Sequence, residues 1–226
     1  METVVRYVIV IGVTVYSCIL HECAHVWSAL KMGDPTGKLE GRLTLNPIRH
    51  IDPFWTILLP LWTYYQAHFP VAGPKPAPVN PLNFKDPRAG SMLSGLAGPA
   101  MNLLLALSAF VLLWLLNRIA GDFVRPDSYN ALFLSNVLFI NAGLAALNLI
   151  PVPPLDGSRF LNYILGSRSD AAMGAIERLG FIPIFIAFYY LGGPVGGFVR
   201  GTLYYLLEKG FGEEYALTLV RTNFGL

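Results

Sequence analysis

Two histidines and a glutamate lie close together near the start of the chain, in the pattern His21-Glu22-Cys23-Ala24-His25. Side chains four residues apart project from the same face of an α-helix, so the two imidazoles can bind one Zn²⁺. The carboxylate beside them can take a proton from zinc-bound water and pass it to a leaving amine. The pattern therefore predicts metal-assisted hydrolysis, with His21 and His25 as ligands and Glu22 as the catalytic base and acid.

A catalytic zinc site needs a third protein ligand, and the candidate is Asp156. It follows the proline-rich stretch 151–154 and precedes Gly157. The prolines end the preceding helix, and the glycine allows the backbone to turn the carboxylate inward. On this local pattern alone, Asp156 can equally be an ordinary turn residue.

The composition indicates a polytopic membrane protein. Of the 226 residues, 54% are hydrophobic and only 13% are charged, whereas soluble domains carry about a quarter charged residues. Several runs with few charges approach the roughly 20 residues that a helix needs to cross a bilayer. Ionisable groups are expensive inside such runs, so His21, Glu22 and His25 indicate a functional site. The small net charge of +2 argues against a nucleic-acid partner.

We predict an all-α polytopic membrane protein with about four to six membrane helices, a re-entrant segment and a small membrane-associated β element. The predicted elements are a first helix at 4–32, the β element at 36–44, the re-entrant segment at 54–65, an extended proline-rich loop at 70–87, spans at 91–117 and 129–150, a short helix near Phe160, a span near 176–191 and an amphipathic segment at 195–207. The last segment either spans the membrane or lies in its interface. We expect one integral membrane domain over 1–226, with a core at about 4–165 and C-terminal helices at about 174–208. The first helix is expected to be retained rather than cleaved as a signal peptide, because it carries the metal-binding pattern.

The order of these elements favours Asp156 as the third ligand. His21 lies about 25 Å into its helix, near the exit side, and Asp156 lies near the exit side of its own span. The two can meet only if both helices cross in the same direction, with 91–117 as the return crossing and 54–65 entering and leaving on one side. The linkers 31–53, 67–90 and 151–175 then share a side that holds nine Lys and Arg, against four opposite. This excess places these linkers in the cytoplasm.

Two further sets of residues repeat at helical spacing. One is a stripe of small residues with one amide, and the other is a row of three amides: Ser91, Gly95, Gly98 and Asn102; Asn130, Asn141 and Asn148. Both sets are compatible with close interhelical packing. A functional interpretation instead places Asn102 and Asn148 near the metal, where they bind substrate backbone or stabilise the oxyanion.

The ordered motifs at 21–25, 45–53, 75–81, 97–102 and 148–157 resemble those of the site-2 protease family, the M50-type intramembrane zinc metalloproteases. The resemblance is to the compact prokaryotic branch without PDZ or CBS domains. It implies one zinc per chain at His21, His25 and Asp156, Glu22 as catalytic base and acid, and Asn148 as an aid to substrate binding or transition-state stabilisation. It also implies a transmembrane protein as substrate and a location in the inner cell membrane among lipids, with the active site towards the cytoplasm.

The reaction expected from this resemblance is hydrolysis of a peptide bond in a locally unwound membrane helix. The extended segment 70–87 or the β element at 36–44 is expected to hold the unwound substrate as an added strand. Two alternatives are a zinc carrier or sensor and an inactive homologue that serves as a scaffold. Neither alternative needs a general base beside the metal, so the presence of Glu22 argues against both.

Overall fold

The computed structural model describes residues 2–58, 73–180 and 182–224, and these residues form an all-helical protein. Its α-helices are α1 (Glu2–Lys31), α2 (Thr36–Leu39), α3 (Pro87–Ile119), α4 (Tyr129–Asn148), α5 (Gly157–Leu165), α6 (Asp170–Glu177), α7 (Ile182–Phe211) and α8 (Glu213–Phe224). Short 3₁₀ turns lie at Pro47–His50, Pro81–Asn83, Gly121–Val124 and Gly166–Arg168, and Pro53–Leu58 is a π-helical turn. The all-α prediction is confirmed for this part of the chain.

The two central helices begin at local sequence signals. Asp86 caps α3 by accepting hydrogen bonds from the backbone N–H groups of Arg88 and Ala89, with Pro87 in the first turn. Ser128 caps α4 by accepting from the N–H of Ala131 at 3.1 Å. Such caps satisfy N–H groups that have no partner within the helix. The starts of both spans are therefore fixed independently of tertiary packing.

Among the described residues, three helices are long and apolar enough to cross a membrane: Val4–Lys31, Pro87–Ile119 and Tyr129–Asn148. Large apolar side chains remain exposed along them, as with Ile11 at 61% and Leu107 at 60%, and a lipid surrounding would cover them. The predicted count of four to six membrane helices is not confirmed. Residues 182–191 and 195–207 of the last two predicted segments belong to the single helix α7, which continues through Pro194. Continuity of the helix keeps most backbone groups hydrogen-bonded where water is absent.

The β element predicted at 36–44 is corrected by the structure. Thr36–Leu39 is a short helix, followed by a turn in which Gly41 has φ of +69°. Asp34 accepts a hydrogen bond from the N–H of Thr36 at 3.1 Å, which favours a helical start. The described residues contain no strand with which this segment could pair.

The loop predictions are tested only in part. Residues 73–80 are extended, as predicted for the proline-rich loop, and Pro81–Asn83 then forms a 3₁₀ turn before α3 begins. The re-entrant prediction at 54–65 lies mostly outside the described residues, of which Pro53–Leu58 forms the π-helical turn.

The helical bundle has an apolar end and a polar end. The apolar core joins the C-terminal half of α3 to the N-terminal half of α4 and to α7 and α8, through residues that include Ala109, Leu113, Leu138, Leu207 and Leu219. At the other end, α1 packs against α3 and α4, and the buried residues there are largely polar. The first half of α3 and the last half of α4 therefore position the polar side chains of α1.

Candidate metal centre

His21, His25 and Asp156 converge on one point at the polar end of the bundle. The Nε2 atoms of the two histidines are 3.0 Å apart, and they lie 3.1 and 3.2 Å from Oδ2 of Asp156. The three side chains are buried, with residue exposures between 5% and 8%. Ligand atoms at the corners of a zinc tetrahedron are about 3.3–3.6 Å apart for bonds of about 2.0–2.2 Å. The observed distances are slightly shorter than these, and the donor types, two imidazole nitrogens and one carboxylate oxygen, fit a zinc ion.

The close approach of α3 to the two imidazoles depends on Gly98. A Cβ atom at this position would overlap both the His25 ring and the His21 ring. The two rings can lie this close to α3 because position 98 carries no side chain. The small-residue stripe predicted from the sequence serves helix packing here, directly beside the candidate site.

The second ring nitrogen of each histidine has its own partner. Nδ1 of His21 lies 2.6 Å from Oδ1 of Asn102, and Nδ1 of His25 lies 2.6 Å from the backbone oxygen of Ser94. Both oxygens accept from Nδ1–H, which leaves the lone pair on each Nε2 free for a metal. Asn102 is fully buried behind His21, so the substrate contact predicted for Asn102 is corrected to a contact with this imidazole.

Asp156 reaches the histidines because the chain turns sharply after α4. Residues 151–156 form turns and bends, and α5 begins at Gly157. A Cβ atom at Gly157 would collide with the backbone oxygen of Leu149, so only glycine fits there. Burial would raise the pKa of Asp156, but its contacts with His21 and His25 outweigh burial and lower it, which favours the carboxylate form.

Glu22 projects from α1 beside this cluster. Its Oε2 accepts a hydrogen bond from the backbone N–H of Ala77 at 2.6 Å, and the residue is 9% exposed. Ligand-type atoms of Glu22, His21 and His25 all lie within 4.8 Å of one another. Glu22 is thus close enough to exchange protons with a water molecule at the metal position.

Ala77 belongs to an extended segment, residues 73–80, which we call the strap. Two buried charged residues hold it. Asp34 accepts from the N–H of Asn80 at 2.7 Å and from the Asn83 side chain at 2.8 Å, and the Arg42 guanidinium donates to the backbone oxygens of Arg49 and Lys75. Neither charged residue was predicted from the sequence to hold this segment. In the sequence, each of these two charged residues stands in a short turn beside apolar helices, and this placement was the available indication of a structural role.

The described strap is poorly suited to pair with a substrate strand. Pro74, Pro76 and Pro78 have no N–H, and the N–H groups of Lys75, Ala77 and Asn80 already donate within the protein. A β-ladder needs free donors as well as acceptors along one edge. The strand-addition hypothesis therefore finds little support in residues 73–80.

We expect Asp34→Asn to loosen the strap. Burial would raise the pKa of Asp34, but hydrogen bonds from Asn83, Thr36 and Asn80 outweigh burial and lower it. The stabilisation from hydrogen bonds to the Asp34 carboxylate is therefore present above pH 3.8, the ordinary pKa of this group. It is lost only as the pH falls through the lower pKa that Asp34 has in the folded protein. At neutral pH, losing bonds to a charged acceptor, each worth about 1.5–3 kcal/mol, should speed local exchange at least about tenfold.

Amide hydrogen exchange of residues 73–83 measures this effect, with Asp127→Asn as the matched control. Asp127 is an exposed carboxylate in an ion pair with Arg125 at 3.7 Å, far from the strap in sequence. Equal protection of the strap in the wild type and in Asp34→Asn would contradict the anchoring role.

A cavity of about 370 Å³ opens beside the cluster. Its walls come from α1, the strap, the end of α4, the turn before α5, and α7, which contributes Ile184. Asn148 lies in this wall, where a substrate contact was predicted, and its side chain also donates to the backbone oxygen of Leu144 at 3.0 Å. Arg159 lines the cavity as well, and it was not predicted from the sequence as a site residue. Its position three residues after Asp156, at the start of an amphipathic helix, was the available signal.

The chain is similar to known proteins over most of its length. The model of "Peptidase family M50" matches residues 124–192. "Putative zinc metalloprotease YwhC" of Bacillus subtilis is 38% identical over 186 residues, covering 82% of this chain and 80% of the relative. "Putative zinc metalloprotease Rip2" of Mycolicibacterium smegmatis is 31% identical, covering 80% and 66%, and Rip2 of Mycobacterium tuberculosis is 29% identical, covering 89% and 74%. No solved structure matches the chain.

Proposed function

This chain belongs to peptidase family M50, and on that basis we propose that it is an intramembrane zinc metalloendopeptidase of the site-2 protease type. The observation that carries the proposal is the triangle of Nε2, Nε2 and Oδ2 atoms, 3.0–3.2 Å on a side, with a carboxylate beside it in a cavity. In this assignment His21, His25 and Asp156 hold one zinc ion and Glu22 transfers protons.

The bound metal would lower the pKa of water and polarise a peptide carbonyl. Glu22 accepts the proton of the attacking water and donates it to the leaving amine. His21 and His25 keep their Nε2 atoms directed at the metal position through the bonds from their Nδ1 atoms. Asn148, in the cavity wall, binds the substrate backbone.

The proposed substrate is a transmembrane protein, cut within a membrane segment. The histidines lie on a helix that is itself long and apolar enough to span the membrane. A helical substrate must unwind locally, because the carbonyls of an intact helix are already hydrogen-bonded. The Ala77 N–H engages one oxygen of the Glu22 carboxylate, and the other oxygen remains available to accept a proton from water.

Metal analysis with an activity assay tests the proposal. We expect purified protein to hold about one zinc per chain and to cut a candidate single-span protein when the two are co-expressed. A chelator should abolish cleavage in membranes, and added zinc should restore it. Folded protein that binds no zinc would overturn the proposal.

The orientation is also proposed, with the metal centre towards the cytoplasm in the inner cell membrane. In a chain with Cys18 and Cys23 replaced by Ala, a single Cys at Glu40 should be labelled from the cytoplasmic side. A single Cys at Asp127 should be labelled from the opposite side. Both parent residues are exposed, so access to reagent depends on the side of the membrane. Labelling of both positions from one side would contradict the proposed topology.

A further inference from the structure

Four buried polar side chains form a chain of three hydrogen bonds that runs from α1 through α3 and α4 and back to α1. His21 Nδ1 lies 2.6 Å from Asn102 Oδ1, Asn102 Nδ2 donates to Asn141 Oδ1 at 3.0 Å, and Asn141 Nδ2 donates to Ser17 Oγ at 2.8 Å. Ser17 and His21 lie one turn apart on α1, so both ends of the chain are on this helix. Asn102 and Asn141 are fully buried. The chain begins at a candidate metal ligand, but only that ligand contacts the metal position.

The direction of these hydrogen bonds is set by a backbone carbonyl. Asn141 Nδ2 also donates to the oxygen of Val137 at 2.8 Å, and a carbonyl oxygen can only accept. The nitrogen of the Asn141 amide must therefore face Val137, and its oxygen must face Asn102. The Asn102 amide then presents its nitrogen to Asn141 and its oxygen to His21. The proton of a neutral His21 ring is thereby placed on Nδ1.

His25 is fixed in a simpler way, because its Nδ1 faces the backbone oxygen of Ser94 directly. A backbone carbonyl cannot rotate to present an N–H group in place of its oxygen, so His25 Nδ1 always faces an acceptor. The Asn102 amide, in contrast, can rotate by half a turn and present its NH₂ group to His21. His21 Nδ1 would then accept, the proton would move to Nε2, and a protonated Nε2 has no lone pair for a metal.

We propose that Asn141 is a positioning residue that holds Asn102 in the one orientation in which His21 can bind zinc. This inference rests on the proposed zinc site, and it adds a residue from α4 that has no contact with the metal position. Outer partners of metal-binding histidines typically contribute 10–100-fold to metal affinity. Asn141→Leu should therefore lower zinc affinity about 10–100-fold, although both histidines and Asp156 remain.

The matched control is Asn136→Leu. Asn136 is also a buried amide on α4, and its side chain donates to the backbone oxygen of Leu132, four residues earlier. It has no bond to Asn102 in the described part of the chain. Its replacement should leave zinc affinity within a few-fold of the wild-type value, although it removes the same polar group from the same helix.

A second substitution separates orientation from packing. Asn102→Asp places an acceptor against His21 whichever way its side chain turns, because an ionised carboxylate has no donor. In the Asn102→Asp background, Asn141→Leu should change zinc affinity only a few-fold, whereas a general packing defect would persist in the double variant. If Asn141→Leu does not accumulate as folded protein, Asn141→Ala removes the same oxygen with less bulk and carries the same expectation.

Zinc affinity is measured by competition with a chromophoric chelator, and the tautomer by ¹⁵N NMR of histidine-labelled apo-protein, which contains four histidines. We expect His21 to carry its proton on Nδ1 in the wild type and to shift towards Nε2 in Asn141→Leu. Unchanged affinity and an unchanged tautomer in Asn141→Leu would overturn the inference. If wild-type protein binds no zinc, the proposed function fails, and the tautomer measurement still decides the role of Asn141.

Discussion

Glu22→Gln should abolish peptide-bond cleavage while leaving zinc binding intact. Gln has nearly the same volume, and its carbonyl oxygen can still accept the hydrogen bond from the N–H of Ala77. It cannot take a proton from water at neutral pH. General acid and base groups typically contribute about 10²- to 10⁴-fold, and the proposed mechanism uses Glu22 in both roles, so the loss should reach or exceed the upper end of this range.

The comparison requires equal zinc content, because a lost metal would imitate a lost base. Glu40→Gln is a suitable control, since Glu40 is an exposed carboxylate in the turn after α2. Cleavage by Glu22→Gln at a rate near that of the wild type, with zinc retained, would exclude the proposed mechanism. If neither form cleaved any membrane substrate and both moved zinc across vesicles equally, a zinc carrier would replace the protease as the explanation.

Asp156→Ala should lose both zinc and activity. The substitution removes the only carboxylate within 3.2 Å of the two Nε2 atoms in the described residues and leaves two ligands for the metal. Outer partners already contribute about 10–100-fold to metal affinity, so removal of a direct ligand should cost at least about 100-fold. Asp156→Asn keeps an oxygen and nearly the same shape, and it should retain some zinc yet lose most of the activity.

We expect zinc content to fall from the wild type to Asp156→Asn and further to Asp156→Ala. Zinc content is measured after dialysis against a weak chelator, and activity is measured by a cleavage assay. Asp127→Ala is the control, because Asp127 is an exposed carboxylate outside the cavity. Equal zinc content and activity in the wild type, Asp156→Ala and Asp156→Asn would remove Asp156 from the site.

The relation between the histidines and Asp156 could be predicted because it depends on simple geometry. Helical spacing places His21 and His25 on one face. Counting the crossings placed Asp156 at the same end of the bundle, and the structure brings its carboxylate within 3.2 Å of both rings. The limits of α4 followed from hydrophobic length and from the polar residues at its start.

Contacts that depend on backbone groups or on the direction of an amide could not be predicted in this way. The bond from Ala77 to Glu22 uses a backbone N–H, which any residue except proline could supply. Periodicity placed Asn102 near the metal, but only its neighbours determine that it faces His21 rather than the cavity. The segment 36–44 was predicted as strand from residue types, whereas a hydrogen bond to Asp34 begins a helix there.

The proposed ligands come from α1 and from the turn after α4, which are far apart in sequence, and α3 lies between them in the chain. A fragment ending in the Gly121–Val124 turn would contain both histidines but not Asp156. Of the three proposed ligands, the remaining fragment would contain only Asp156. High-affinity zinc retention therefore reports on completed assembly of α1, α3 and α4. Since the metal binds the assembled bundle in preference to the separated helices, it also stabilises that bundle, by about 2.7 kcal/mol when free zinc is 100 times its dissociation constant. Loss of zinc in the cell would then expose this protein to degradation as well as inactivate it.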